Sequence, residues 1–118
     1  MLTILPSRDE QTVVIEVSGK AAEEDAEKMD QYVKRYFGED EPFNVLAFIS
    51  DLDGATLQGM IEGVKLDAKR WGQYNKFAVV SPQDILEKGT EIGDILPGIE
   101  TKQFESDEVE EAWNWIEE

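Results

Sequence analysis

Residues 43–49 read Phe43-Asn44-Val45-Leu46-Ala47-Phe48-Ile49, a run broken by a single polar side chain. A strand with one wet face would alternate apolar and polar residues; a near-continuous apolar run suits a strand covered on both faces, as at the centre of a parallel sheet. The flanking segments fit that reading. Upstream, Ala22, Ala26, Met29, Val33 and Tyr36 or Phe37 recur at spacings of four and three, one face of a helix. Glu23, Glu24 and Asp25 crowd its first turn, Lys34 and Arg35 lie in its last, and Gly38 follows as the stop. Downstream, Leu57, Met60, Ile61, Val64, Ala68 and Trp71 trace a second amphipathic helix ending at Gly72, and Phe77-Ala78-Val79-Val80 is the next buried strand. Strands separated by helices imply right-handed parallel crossovers.

Further out, Met1-Leu2-Thr3-Ile4-Leu5 stops at Pro6, Ser7-Arg8-Asp9-Glu10 supplies a polar turn, and Thr12-Val13-Val14-Ile15-Glu16-Val17 is a β-branched strand. Together they read as an antiparallel hairpin at one edge of the sheet. Ser81-Pro82-Gln83-Asp84 has the form of a helix start: a serine cap, proline at the first position and an acid three residues after the cap. Gly89, Gly93, Pro97 and Gly98 then interrupt that helix. Ile99 to Phe104 reads as a last strand, and Ser106 as the cap of a final helix facing inward through Val109, Ala112, Trp113 and Ile116. The expected fold is one α/β domain over residues 1–118, with a mixed, mainly parallel five-stranded sheet and about four helices.

Composition narrows the chemistry. A chain of 118 residues without cysteine has no disulfides, thiolate nucleophile or cysteine zinc site, and without histidine it lacks the usual general base and the commonest metal ligand. We therefore expect no catalytic centre, no metal and no cofactor. The first residues lack the basic and apolar regions of a signal peptide, and no apolar run approaches the roughly 18 residues that span a bilayer, so a cytoplasmic location is the expectation. A net charge of −16 repels phosphates and argues against nucleic acid as a partner. The acid is uneven: eight carboxylates fall between Glu23 and Glu41 and seven between Glu105 and Glu118. Between Ala55 and Val80, Lys65, Lys69, Arg70 and Lys76 outnumber Glu62 and Asp67 and leave that stretch at +2. Such an island can meet an anionic group or lipid headgroups; its plainer reading is a set of solvated faces and helix C-terminal charges.

Several phrases, in this order of elements, resemble the SpoIIAA-like group of small bacterial proteins, related in fold to the STAS domains of anti-sigma factor antagonists and grouped with CRAL–TRIO lipid-transfer domains. The phrases are Val14-Ile15-Glu16-Val17-Ser18-Gly19-Lys20 followed by Glu24-Asp25, Val45-Leu46-Ala47-Phe48 leading to Asp51 and Gly54, Phe77-Ala78-Val79-Val80, and Phe104 with Glu111-Ala112-Trp113-Asn114-Trp115. The resemblance runs nearly end to end. What the resemblance implies is a non-enzymatic carrier or sensor of a non-polar ligand, working at a membrane surface. Two departures stand out. Ala21 and Ala22 occupy a place where members often carry a hydroxyl. Where anti-sigma antagonists carry an Asp-Ser-Ser-Gly phosphorylation site, this chain has Asp51-Leu52-Asp53-Gly54-Ala55-Thr56. Thr56 is better explained as a helix cap, since Asp51 and Asp53 would repel a phosphate on it.

That same loop, Asp51-Leu52-Asp53-Gly54-Ala55-Thr56-Leu57, is similar to the Asp-x-Asp-Gly-Thr-Leu loop of haloacid dehalogenase-type phosphatases, in which the first Asp attacks phosphorus beside Mg²⁺. Ala55 displaces the hydroxyl by one residue, Gly93-Asp94 lacks a second Asp at the needed spacing, and two strands and a helix precede a strand that should come first. A polar loop at the carboxyl ends of the strands, able to rim a ligand site, explains it better. Gly59 and Gly63, one turn apart, point to close helix packing or to a helix that can tilt. Ile85, Leu86, Ile92, Ile95 and Leu96 form either a hinged cover or an irregular crossover. Trp71 beside Lys69 and Arg70 suits a ligand mouth or a core edge, and Trp115 should be more exposed than Trp113.

These features define an expected site for a non-polar or amphipathic small molecule. Leu57, Met60, Ile61, Val64, Trp71, Ile85 and Leu86 would line it, and Lys65, Lys69 and Arg70 would meet a headgroup or a membrane surface. A homodimer is among the allowed states. The alternative is a STAS-like interaction or regulatory domain lacking the usual phosphorylation site.

Overall fold

The computed structural model describes residues 2–18, 23–38, 40–50, 71–81 and 98–118. Five strands, β1 (Leu2–Leu5), β2 (Thr12–Ser18), β3 (Phe43–Ser50), β4 (Tyr74–Val80) and β5 (Glu100–Phe104), form one sheet in the order β1-β2-β3-β4-β5. β1 pairs antiparallel with β2, and the other pairs are parallel. β3 is the middle strand, as its near-continuous apolar run predicts. The two described helices are α1 (Glu23–Phe37) and α2 (Val109–Ile116). The helices expected at 57–71 and after Ser81 fall on residues outside those described, apart from Trp71 and Ser81 themselves.

Alternate residues of each strand feed two separate cores. Val13, Ile15, Val17, Val45, Ala47, Ile49 and Val79 pack with Met29, Val33 and Phe37 of α1. On the opposite face Val14, Leu46, Ala78, Val80 and Phe104 pack with Ala112, Trp113 and Ile116 of α2. Leu46 and Val45 are each fully enclosed, one per face, which is why this strand tolerates so few polar side chains. Either Tyr36 or Phe37 could fill the last inward position of α1. Phe37 takes it, while Tyr36 stays 58 % exposed.

α1 ends as its sequence directs. Gly38 adopts φ 65°, and its N–H donates to the Lys34 carbonyl at 3.1 Å, a left-handed helix stop. α1 also guards the outer edge of β1: the Leu2 N–H donates to Asp25 Oδ1 and Lys28 Nζ donates to the Leu2 carbonyl, both at 3.0 Å. Edge groups satisfied in this way cannot template another strand.

α2 starts later than Ser106 predicts, and Ser106 does not cap it. Residues 105–108 first make a turn in which the Glu108 N–H donates to the Glu105 carbonyl and Glu108 Oε1 accepts from the Glu105 N–H. With eight residues α2 is too short to persist alone, so the burial of Trp113 and Ile116 holds it in place. It carries no basic residue in its last turn. Lys76 of β4 supplies that charge, donating to the carbonyls of Trp115 at 2.9 Å and Glu118 at 3.2 Å. Trp115 is partly buried and Trp113 only 5 % exposed, as their positions on the helix predict.

Candidate functional site

β4 begins at Tyr74, three residues before the apolar run that marks it in the sequence. The reason is Asn44. Between Phe43↔Tyr74 and Val45↔Phe77 the register slips by one residue, leaving β4 with an extra one. Asn44 Oδ1 bridges the gap, accepting from the Lys76 N–H at 3.2 Å and from Asn75 Nδ2 at 3.0 Å. Because a backbone N–H can only donate, the atom facing it must be the amide oxygen, and this sets the orientation of the side chain. Gln73, only 4 % exposed, closes the same corner. Its Nε2 donates to the carbonyls of Gly38 and Glu41, and its own carbonyl accepts from the Phe43 N–H at 2.9 Å.

On the other side of Asn44 lies the hairpin loop between β1 and β2. Asp9 organises it, with Oδ1 accepting from the Gln11 N–H at 2.8 Å and Oδ2 from the Thr12 hydroxyl at 3.2 Å. The Gln11 carbonyl then accepts from the Asn44 N–H at 2.8 Å, which joins the loop to the start of β3.

These pieces line an open groove of about 1200 Å³ at the amino ends of β2, β3 and β4. Its floor is Thr12, Asn44 and Asn75; one wall is Tyr32, Tyr36 and Phe37 at the end of α1, and the other is Ile116 to Glu118 at the end of α2. The rings of Tyr32 and Tyr36, one helical turn apart, lie with centroids at 4.6 Å and planes tilted by 40°. The lining is acidic: Asp9, Glu10, Glu41, Glu117 and Glu118 against Arg8. Arg8 is already engaged. It makes a two-pronged pair with Glu110 at 2.9 and 2.6 Å and lies 5.2 Å over the Trp113 ring. The hydrogen bond from Arg8, with its charge, holds the Glu110 carboxyl below its usual range.

The site expected from sequence falls almost wholly on residues outside those described. Leu57, Met60, Ile61, Val64, Ile85 and Leu86, with Lys65, Lys69 and Arg70, are outside the described residues, as are Thr56 and the Asp51–Leu57 loop. Trp71 is described: it is partly buried against the α1-side core, its ring 6.0 Å from that of Tyr74. Sequence reasoning does not mark the groove's residues, although signals exist for some of them. Asn44 is the polar interruption in an apolar strand, and Tyr32 and Tyr36 share one helix face at i, i+4.

Among functionally curated proteins, none matches the chain. A solved structure that superposes well is an uncharacterized protein from the DUF3478 family with a SpoIIAA-like fold, from Shewanella loihica PV-4. It matches with a TM-score of 0.65 and 20 % identity, over 98 % of this chain and 92 % of that one. The SpoIIAA-like family model matches residues 12–117. With β2 to β5 of the mixed sheet and the closing C-terminal helix all within that span, the chain belongs to the SpoIIAA-like family.

Proposed function

We propose that this chain is a non-enzymatic interaction domain: a STAS-like module that binds another protein and lacks the Asp-Ser-Ser-Gly phosphorylation site. The observation that carries the reading is the recess itself. The groove at the amino ends of the strands is broad, open and largely polar, whereas sites for small apolar molecules are concave and enclose most of the ligand. The sequence supports it from another side, since a chain without histidine or cysteine has few means of acid–base or nucleophilic chemistry. The test is photo-crosslinking in cells from a benzophenone amino acid placed at Tyr36, with the same probe at Lys102 on β5 as a second position. The expected result is a discrete protein adduct from one position and not the other. Identical smears from both would overturn the reading.

A second reading has one observation in its favour. Trp71 lies half-buried beside the α1-side core, at the end of the stretch expected to line a pocket for a non-polar or amphipathic molecule. Carriage of such a molecule, with Lys65, Lys69 and Arg70 meeting a headgroup or a membrane surface, predicts that gently purified protein shows a lipid-like adduct on its 13.4 kDa mass in native mass spectrometry. It also predicts co-sedimentation with anionic vesicles. Bare protein that ignores such vesicles would dispose of the carrier.

A further inference from the structure

We infer that the amino-edge groove receives an extended, basic peptide segment of a partner protein, its cationic side chains against Glu10 and Glu41 and a backbone carbonyl on Asn44. This rests on the interaction reading above and adds the place and the chemistry of the partner. At about 1200 Å³ the groove holds far more than a single side chain, and it lies between two walls that differ in character. The α1 wall is aromatic, with Tyr36 58 % exposed and in tilted contact with Tyr32. The loop and the α2 end are acidic. Glu10 and Glu41 have no ion-pair partner among the described residues, and Arg8 is neutralised by Glu110. A cation entering here meets carboxylates without an ion-pair partner among the described residues, beside a wall of two phenol rings, both of which favour arginine or lysine. Arg35 already lies 5.6 Å over the Tyr36 ring from outside the groove lining, an example of that preference within the molecule.

Asn44 is an observation of a different kind. It is only 8 % exposed and lines the groove, and its Oδ1 is committed to Lys76 and Asn75. Its Nδ2 finds no acceptor among the described residues. No buried side-chain nitrogen or oxygen among the described residues lacks a partner, so this N–H₂ opens to solvent in the groove, fixed in direction through its oxygen and able to take a carbonyl oxygen in place of water. A peptide offers that carbonyl together with the cations, whereas a simple polyamine offers only the cations.

The test is fluorescence anisotropy with a capped peptide of about eight residues alternating arginine or lysine with serine, near physiological ionic strength. Spermine serves as competitor. A body this acidic attracts any polycation, so each groove variant needs a charge-matched control. E10Q combined with E41Q should weaken the peptide about tenfold, and E105Q with D107N, on the turn before α2, by less than about twofold. Y36A should also weaken it, without loss of thermal stability, since that ring is mostly in solvent. On peptide addition, the side-chain amide signals of Asn44 and Asn75 should be the most displaced. Equal weakening by both charge pairs, undisplaced amide signals, or spermine competing as well as an unlabelled peptide would each overturn the proposal. A discrete crosslink from Lys102 instead of Tyr36 would leave the interaction reading standing and remove the groove from it.

Discussion

Gly38 and Lys76 hold positions that no hydrophobic pattern explains, and each does a job for a helix end. At Gly38 a methyl group would meet nothing within 4 Å, so the space is free and only the backbone objects. With φ at 65°, Gly38→Ala should cost about 1 kcal/mol, and Gly38→Asn distinctly less, because asparagine tolerates the left-handed region. Urea midpoints of the two variants check this; equal losses would mean that something other than backbone conformation is at stake. Lys76→Met keeps the apolar stem but removes the ammonium from the carbonyls of Trp115 and Glu118. The expected loss is about 0.5–1 kcal/mol, with amide exchange in α2 rising before that in β3. Arg8 and Glu110 make a third such contact, wholly at the surface. Since the Glu110 carboxyl is held below its ordinary value, its contribution is present at neutral pH and fades as pH falls through that lowered value. Glu110→Gln should therefore lower the neutral-pH urea midpoint more than Glu111→Gln, an exposed neighbour carrying the same charge, and the gap between the two should close in acid.

Among the elements, β3 and α2 show how far a one-dimensional pattern reaches. The apolar run at 43–49 places β3 at the centre without further help, because only a doubly covered strand can be apolar on both faces. Leu46→Ala, at a position with no exposed surface, should cost about 2–5 kcal/mol. Truncation of Ile4 at the partly buried edge should cost less, which thermal melts of the two proteins would show. The face of α2 is equally legible from Val109, Ala112, Trp113 and Ile116, yet its start is not. Ser106 has the chemistry of a cap, but Glu108 closes a tight turn on Glu105 first and carries the helix start beyond serine's reach. β4 reads short in the sequence for a related reason. Tyr74, Asn75 and Lys76 look like loop residues until Asn44, distant in sequence, accepts from the Lys76 N–H and draws them into the strand.

For the molecule as a whole, net charge works against compaction. At −16 the folded chain repels itself, and compaction brings those carboxylates closer together. Raising salt from about 0.02 M to about 0.5 M shortens the Debye length several-fold and should raise the urea midpoint, while weakening any basic peptide in the groove. Opposite responses to one variable, measured on one sample, separate global repulsion from local recognition. If the midpoint falls with salt, favourable surface pairs such as Arg8–Glu110 outweigh the repulsion.

The order of the described elements along the chain, the edge hairpin and the inward faces of both described helices follow from local sequence, because hydrophobic period and turn chemistry act over a few residues. The groove does not. Its floor takes one residue from each of three strands, and its walls come from the ends of two helices and a hairpin loop far apart in the chain. Only the parallel register that sets Thr12 opposite Asn44, and the shift in the β3–β4 register that brings Asn75 within hydrogen-bond reach of Asn44, gather those polar groups, since long-range pairing leaves no periodic mark on any one segment.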